Sequence, residues 1–392
     1  MLGCLAGTLI VGALHKAPCA GSDWSDGRQY HLACYTDIVP LFGTEQLAGG
    51  RLPYLNACAP GEGNCDEYPV LTMYLMRVAG WISGDDPARF FWVNAAILTA
   101  CAAATAIGLY LLDARRALWF ALAPSLALEA FVNWDLLAVA LATGATVAFF
   151  RLRDARSGAL LGLGAAAKLF PALLLVPFAA DRLHRRHPDR AIVLVWTAAA
   201  AWIVVNLPFA IIGLHGWWTF FRLNGARPPD WDSLWSIGCR LFHPDCLPIW
   251  QIDLLSFLLF VAVVALLWWA KARRHDFPRW ELAFPVLVVF LLVGKVYSPQ
   301  FGLWLLPWFA LVVRDLRRFV AFEVADVAVF FSRFEFFGDY TGIGGLPRWV
   351  FETAVVIRAA VLVWCLIGWV RDPARRVPAD DDRTPAVAVA RA

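Results

Sequence analysis

The chain is 392 residues long, 60% hydrophobic and 17% charged, with a formal net charge of +3. Soluble domains are closer to about half apolar and about a quarter charged, so this composition excludes an ordinary soluble protein. The positive charge lies in short runs, and there is no glycine-rich phosphate loop, HExxH or zinc-ligand spacing, so nothing points to nucleic acid or to a zinc centre.

Charge-free stretches such as 191–213, 252–270 and 349–370 approach the roughly 20 apolar residues that cross a bilayer as a helix. The fold class is therefore an all-α polytopic membrane protein. In lipid every backbone polar group must be paired within its own segment, so chemistry belongs where irregular backbone meets water or a lined cavity.

Residues 2–14 make about half a span. No basic residue precedes them, which reads as a truncated start or a misassigned initiator methionine rather than a secretory signal. The long loop 15–89 follows. It is acidic and aromatic, with Tyr35-Thr36-Asp37, Glu45, Gly49-Gly50-Arg51-Leu52-Pro53-Tyr54 and Asp66-Glu67-Tyr68-Pro69-Val70-Leu71. A loop carboxylate at the membrane surface suits a general base, although most such carboxylates are simply solvated. Glu45 and Asp66 are read as solvated. The stretch 66–84 is apolar but interrupted by Arg77, and predicts a helix lying against the membrane rather than a span.

Basic runs then punctuate the chain at Arg115-Arg116, Arg151/Arg153/Arg156, 182–190, 271–279, 314–318 and the tail from Arg371. Short Lys/Arg-rich loops face the cytoplasm. The intervals 158–180 and 281–313 each lie between two basic runs, so a single crossing in either puts one run outside. Hairpins of two short helices keep both runs inside, with tips near Lys168 and at 295–300. Pro171 and Pro299 follow these tips, where a new helix can begin. The alternative is one long helix carrying a buried lysine. The hairpin reading predicts about 12 transmembrane helices. Both termini are then cytoplasmic, with two long external loops at 15–89 and 214–251.

Six of the nine cysteines fall in those two loops. An even set at close spacing in one compartment predicts disulfides on an oxidising side. Cys19–Cys34, Cys58–Cys65 and Cys239–Cys246 are the local pairings, although connectivity does not follow from sequence and free thiols are the alternative. Cys4, Cys101 and Cys365 read as small apolar helix residues.

Several polar residues stand out against the apolar spans. Glu129, Asn133 and Asp135 collect at the outer end of one helix and the start of the next, with Glu129 and Asn133 one turn apart. Lys168 and Lys295 are single lysines at matching hairpin tips. Taken singly, each reads equally as a lysine snorkelling to the interface. As a pair they favour a shared anionic ligand such as a lipid phosphate. The second long loop interleaves Trp217-Trp218, Arg222, Arg227, Asp230-Trp231-Asp232 and Trp235. That pattern suits sugar stacking with phosphate pairing, and equally an interfacial aromatic belt. Arg358 lies mid-helix in the last span, with Glu323 and Asp326 in the span before it. Mutual pairing is the default reading and a proton path the sharper one.

Taken in order, these loops resemble glycosyltransferase family 87, GT-C-type membrane enzymes that use polyprenyl-phosphate sugars and are typified by phosphatidylinositol-mannoside mannosyltransferases. The matching stretches are Tyr35-Thr36-Asp37, Leu47-Ala48-Gly49-Gly50, Pro53-Tyr54 and Glu67-Tyr68-Pro69-Val70-Leu71, where Val70 replaces a second proline. Further on come Asn133-Trp134-Asp135, Gly164-Ala165-Ala166-Ala167-Lys168-Leu169-Phe170-Pro171, Asp232-Ser233-Leu234 and Lys295-Val296-Tyr297-Ser298-Pro299-Gln300. The six loop cysteines are not part of the family pattern.

The resemblance implies a single integral membrane catalytic domain over 1–370, and the Pro-, Asp- and Arg-rich composition of 371–392 predicts a disordered cytoplasmic tail. It implies a catalytic Asp in the first external loop, which falls on Asp37. The acceptor hydroxyl needs a base, whereas a lipid-phosphate leaving group needs cations rather than a proton donor. Lys168 and Lys295, with Arg227, are expected to hold the phosphate. Glu67, Glu129, Asn133 and Asp135 are expected to orient sugar hydroxyls, and Tyr68 and Gln300 to bind substrate. No cofactor or metal is required by this chemistry. The expected partners are the bilayer, a polyprenyl-phosphate sugar donor with mannose favoured, and a glycolipid or polysaccharide acceptor. The expected location is the bacterial plasma membrane, with the active site on the extracytoplasmic side. The competing readings are a lipid-linked sugar flippase, which should show repeats and midplane charges, and a sugar-binding scaffold without activity.

Overall fold

In the computed structural model, residues 1–59, 65–242, 246–375 and 377 are described. Helix makes up 75% of the chain and no strand occurs among the described residues, so the all-α reading holds. Among the described residues, five helices are long and apolar enough to cross a bilayer: Leu2–Cys19, Pro87–Leu112, Pro188–Ile212, Ile249–Ala272 and Arg348–Arg371. The protein is a multi-pass membrane protein. The other expected spans carry shorter helices, including Pro124–Glu129, Asp135–Phe150, Asp154–Ala167, Leu175–His184, Ala283–Val293 and Leu306–Val312. Prolines at the first turns of several helical segments (Pro124, Pro171, Pro299 and Pro307) mark where one helix stops and the next starts. Leu316–Tyr340 is long but charged along its length.

The chain turns back at both expected tips. Arg182 donates to Asp154 Oδ1 at 2.7 Å, which sets the end of Leu175–His184 beside the start of Asp154–Ala167. Between them Lys168 is extended and breaks the helix. At the base of the second hairpin, away from its tip, Phe284 meets Phe309 edge-on with centroids 5.1 Å apart. Arg375 spans the same end, its amide donating to Glu281 and its guanidinium to the carbonyls of Ala310 and Leu311.

The basic runs gather at that end of the bundle. Arg116 donates to the carbonyls of Val313 and Arg314, and Arg375 pairs with Asp113. Lys271 pairs with Glu281 at 3.3 Å and donates to the Trp369 carbonyl at 2.8 Å, while His184 faces Asp276 at 3.6 Å. The first residues of the expected disordered tail are thus held in place through Arg375. The remainder, apart from Val377, lies outside the described residues.

Packing follows residue size. Gly158 and Gly162 let Asp154–Ala167 lie directly on Pro188–Ile212. A Cβ at either would collide with the carbonyl oxygen of Leu194 or Ala198. The outer faces of Pro188–Ile212 and Ile249–Ala272 are left exposed and apolar, with only 17% and 6% of their spanning windows buried, which fits contact with lipid. The first loop carries the expected short helix, Val70–Ser83, with Met73, Met76 and Ala79 buried and Trp81 and Ile82 exposed. All three local disulfides form, and Cys4, Cys101 and Cys365 are free.

Candidate functional site

Opposite the basic end, the first loop docks on the break between Pro124–Glu129 and Asp135–Phe150. Thr36 Oγ1 donates to the Phe131 carbonyl at 2.7 Å and the Asp37 amide to the Val132 carbonyl at 2.8 Å. Asp37 stands at the N-terminus of the short helix Ile38–Thr44, but its side chain makes no capping bond there and points to the site instead.

The Asp37 carboxylate is held at both oxygens. Tyr35 Oη donates to Oδ1 at 2.8 Å and Asn133 Nδ2 to Oδ2 at 2.7 Å. Asn133 Nδ2 also reaches Tyr68 Oη at 2.6 Å, and Asn133 Oδ1 accepts from the Trp134 amide at 2.6 Å and from Lys168 at 3.4 Å. Lys168 Nζ lies 2.7 Å from Asp135 Oδ1, which also accepts from Trp304 Nε1 at 2.6 Å. Its ammonium stands 5.1 Å from the Phe301 ring and 5.8 Å from that of Tyr68. One connected set of side chains therefore joins Asp37, Tyr68, Asn133, Lys168 and Asp135, five of the residues singled out from the sequence.

Electrostatics in the loop follow from this crowding. The Asp37 carboxylate, then burial, pushes the Tyr35 phenol well above its ordinary range, so Tyr35 stays a donor. Burial, then Asp37, does the same for Tyr68. Glu67 is also raised, by burial first and the Asp37 charge second, while Arg227 opposes. Tyr68 in turn forms a wall of a narrow aromatic cleft with Tyr54, Trp202, Trp217, Phe220 and Phe221.

Other expected residues are placed elsewhere. Glu129 ends its helix, and the break at 130–134 parts it from Asn133, so the shared helix face does not exist. Glu129 is wholly buried in a separate group with Asp326 and Arg358. There Arg358 pairs with Asp326 at 3.0 Å, in keeping with the default reading, and Glu323 accepts from Ser125. Arg358 also donates to the Tyr297 carbonyl at 3.3 Å, bracing the turn before Pro299. Lys295 pairs with Asp253 at 2.8 Å and donates to the Gly225 carbonyl, rather than joining Lys168. Arg227 pairs with Asp230 at 3.3 Å, and Gln300 is buried in the Pro299–Trp304 turn.

Two loop acids that read as solvated are not. Glu45 is fully buried and Asp66 nearly so. Arg51 binds Asp66 at 2.8 Å and Glu45 at 3.5 Å, and Glu45 accepts from the amides of Asp66 and Glu67. This clamp, next to the Cys58–Cys65 bridge, presents Glu67-Tyr68 to the site. The Gly49-Gly50-Arg51 run carries the available signal, since a tight turn can return an arginine towards the acids on either side of it. Tyr35 is legible in the sequence only as a neighbour of Asp37, with no role of its own, and Trp304 and Arg333 are not legible there at all. Arg333 pairs with Asp232 and lies 3.9 Å from Asp230, and nothing local in sequence distinguishes it from other helix arginines.

A model of glycosyltransferase family 87 matches residues 67–299, more than half of the chain. No curated protein matches it. The chain belongs to glycosyltransferase family 87.

Proposed function

We propose that this family 87 glycosyltransferase moves a sugar, with mannose favoured, from a polyprenyl-phosphate donor to a lipid or glycan acceptor on the extracytoplasmic face, with Asp37 as general base. The acceptor oxygen attacks the anomeric carbon while its proton passes to Asp37. The bond from that carbon to the phosphate oxygen breaks, and its electron pair leaves with the lipid phosphate. A single displacement of this kind inverts the anomeric centre. The leaving group is stable as an anion and needs only positive charge, for which Lys168 is the nearest cation on the Asp37 network. Arg227 is the second, from the rim. Lys295, bound to Asp253, serves mainly to hold the second loop. The aromatic lining of the cleft beside Tyr68 matches a prenyl chain in polarity, and the remaining partner is the bilayer itself.

The observation that carries this reading is the Asp37 carboxylate, oriented by Tyr35 and Asn133 and linked through Asn133 to Lys168. The experiment incubates purified protein with labelled polyprenyl-phosphate mannose and membrane lipids. Transfer is expected from the parent protein, and Asp37→Asn should lower the rate by about 10²–10⁴ while leaving lipid binding intact. Near-parental transfer by Asp37→Asn removes Asp37 as the base. Movement of a lipid-linked sugar across liposomes without transfer replaces the enzyme with a flippase.

A further inference from the structure

Asp37 lies among charges of both signs. Glu67 and Asp135 carry negative charge around it, Tyr35 donates to it, and Tyr68 shares its Asn133 partner. Lys16 and Arg333 bring positive charge. Lys16 is already committed, donating to the Tyr35 carbonyl at 2.8 Å. Arg333 is set differently. It projects from Leu316–Tyr340, pairs with the wholly buried Asp232 and approaches Asp230 at 3.9 Å, with its guanidinium 4.9 Å from the Phe337 ring. One residue further along the same helix, Phe334 packs on Tyr35 with centroids 5.6 Å apart, and Tyr35 donates to Asp37. The Arg333 side chain is only 15% exposed, and a desolvated arginine is costly unless it is paired.

We infer that Arg333 is a positioning residue for Asp37: it ties the second external loop, through Asp230 and Asp232, to the helix that packs on Tyr35, and keeps a positive charge beside the base. This inference rests on Asp37 being the base of the proposed reaction. It explains why Asp232 can be buried at all, since a lone buried carboxylate is strongly disfavoured. Arg333 also lies outside the matched stretch 67–299, so the family match does not account for it.

The test reads the protonation midpoint of Asp37 without needing activity. The infrared carbonyl band of protonated Asp37 is isolated by subtracting the spectrum of the matching Asp37→Asn protein. Removing a positive charge on the Asp37 side of the fold favours the protonated carboxyl, so Arg333→Gln should raise the midpoint. Arg333→Lys, which keeps the charge, should largely restore it. Asp232→Asn with Arg333→Gln removes both members of the buried pair, guards against misfolding, and should shift the midpoint in the same direction. A midpoint unchanged in both the single and the double variant overturns the inference. A shifted midpoint together with full transfer by Asp37→Asn keeps the Arg333 assignment and rejects Asp37 as the base.

Discussion

Asp37 and Glu45 are acids of the same loop with opposite fates. Asp37 is partly open and oriented by two donors, whereas Glu45 is sealed under Arg51 and two backbone amides. Burial pushes the Glu45 carboxyl from 4.5 up to about 7, against the pull of those amides. The folded protein thus holds this proton more tightly than the unfolded chain does. Its contribution to stability is fully present below pH 4.5 and is lost as the pH rises through about 7. Glu45→Gln is expected to flatten that decline in the melting temperature. An equal decline in parent and variant would assign it to other groups. Lysines divide in the same way. Lys168→Ala leaves the buried Asp135 without its cation and should weaken donor use by roughly tenfold to a hundredfold. Lys295→Ala should cost less in donor titrations, because its partner Asp253 is half exposed to solvent. Equal losses in the two variants would restore Lys295 to the phosphate site.

Helix boundaries decide which residues meet. Glu129 and Asn133 share a face only if the helix continues, and it stops at Glu129. Five residues of broken backbone then let Asn133 turn outward to Asp37 while Glu129 turns inward to Asp326. The breaks at Lys168 and before Pro299 do the same for the two hairpins. Close contact between Asp154–Ala167 and Pro188–Ile212 depends on glycine, since a Cβ at Gly158 or Gly162 would strike a carbonyl oxygen. Gly162→Ala should therefore destabilise the protein by about 1–3 kcal/mol, the usual scale of overpacking. The control is Gly225→Ala, also in a helix, where nothing lies within 4 Å of an added Cβ. Thermal unfolding in detergent distinguishes them, and equal melting temperatures would mean that the helices separate without cost.

At the scale of the whole molecule, the basic runs meet at one end and the Asp37 network lies at the other. By the orientation of short basic loops, the Asp37 end should be extracytoplasmic. After reduction, an impermeant maleimide should label Cys58, Cys65, Cys239 and Cys246 in intact cells, and the new thiol of an Arg186→Cys variant only after permeabilisation. Labelling of Cys58 without Cys239 would mean that the hairpin at Lys168 does not return the chain. Composition, charge spacing and cysteine spacing alone determined the all-helical membrane class and pointed to both turns and to the three local disulfides, because these are local properties of the chain. Loop pattern and family resemblance together singled out Asp37, Tyr68, Asn133, Lys168 and Asp135. Only the tertiary structure decided that Glu45 and Asp66 are buried, that Lys295 belongs to Asp253 and that Arg333 sits with Asp232. Those outcomes depend on which partner a charge finds across the fold, and a charge in a sparse, low-dielectric bundle takes the partner that packing brings nearest.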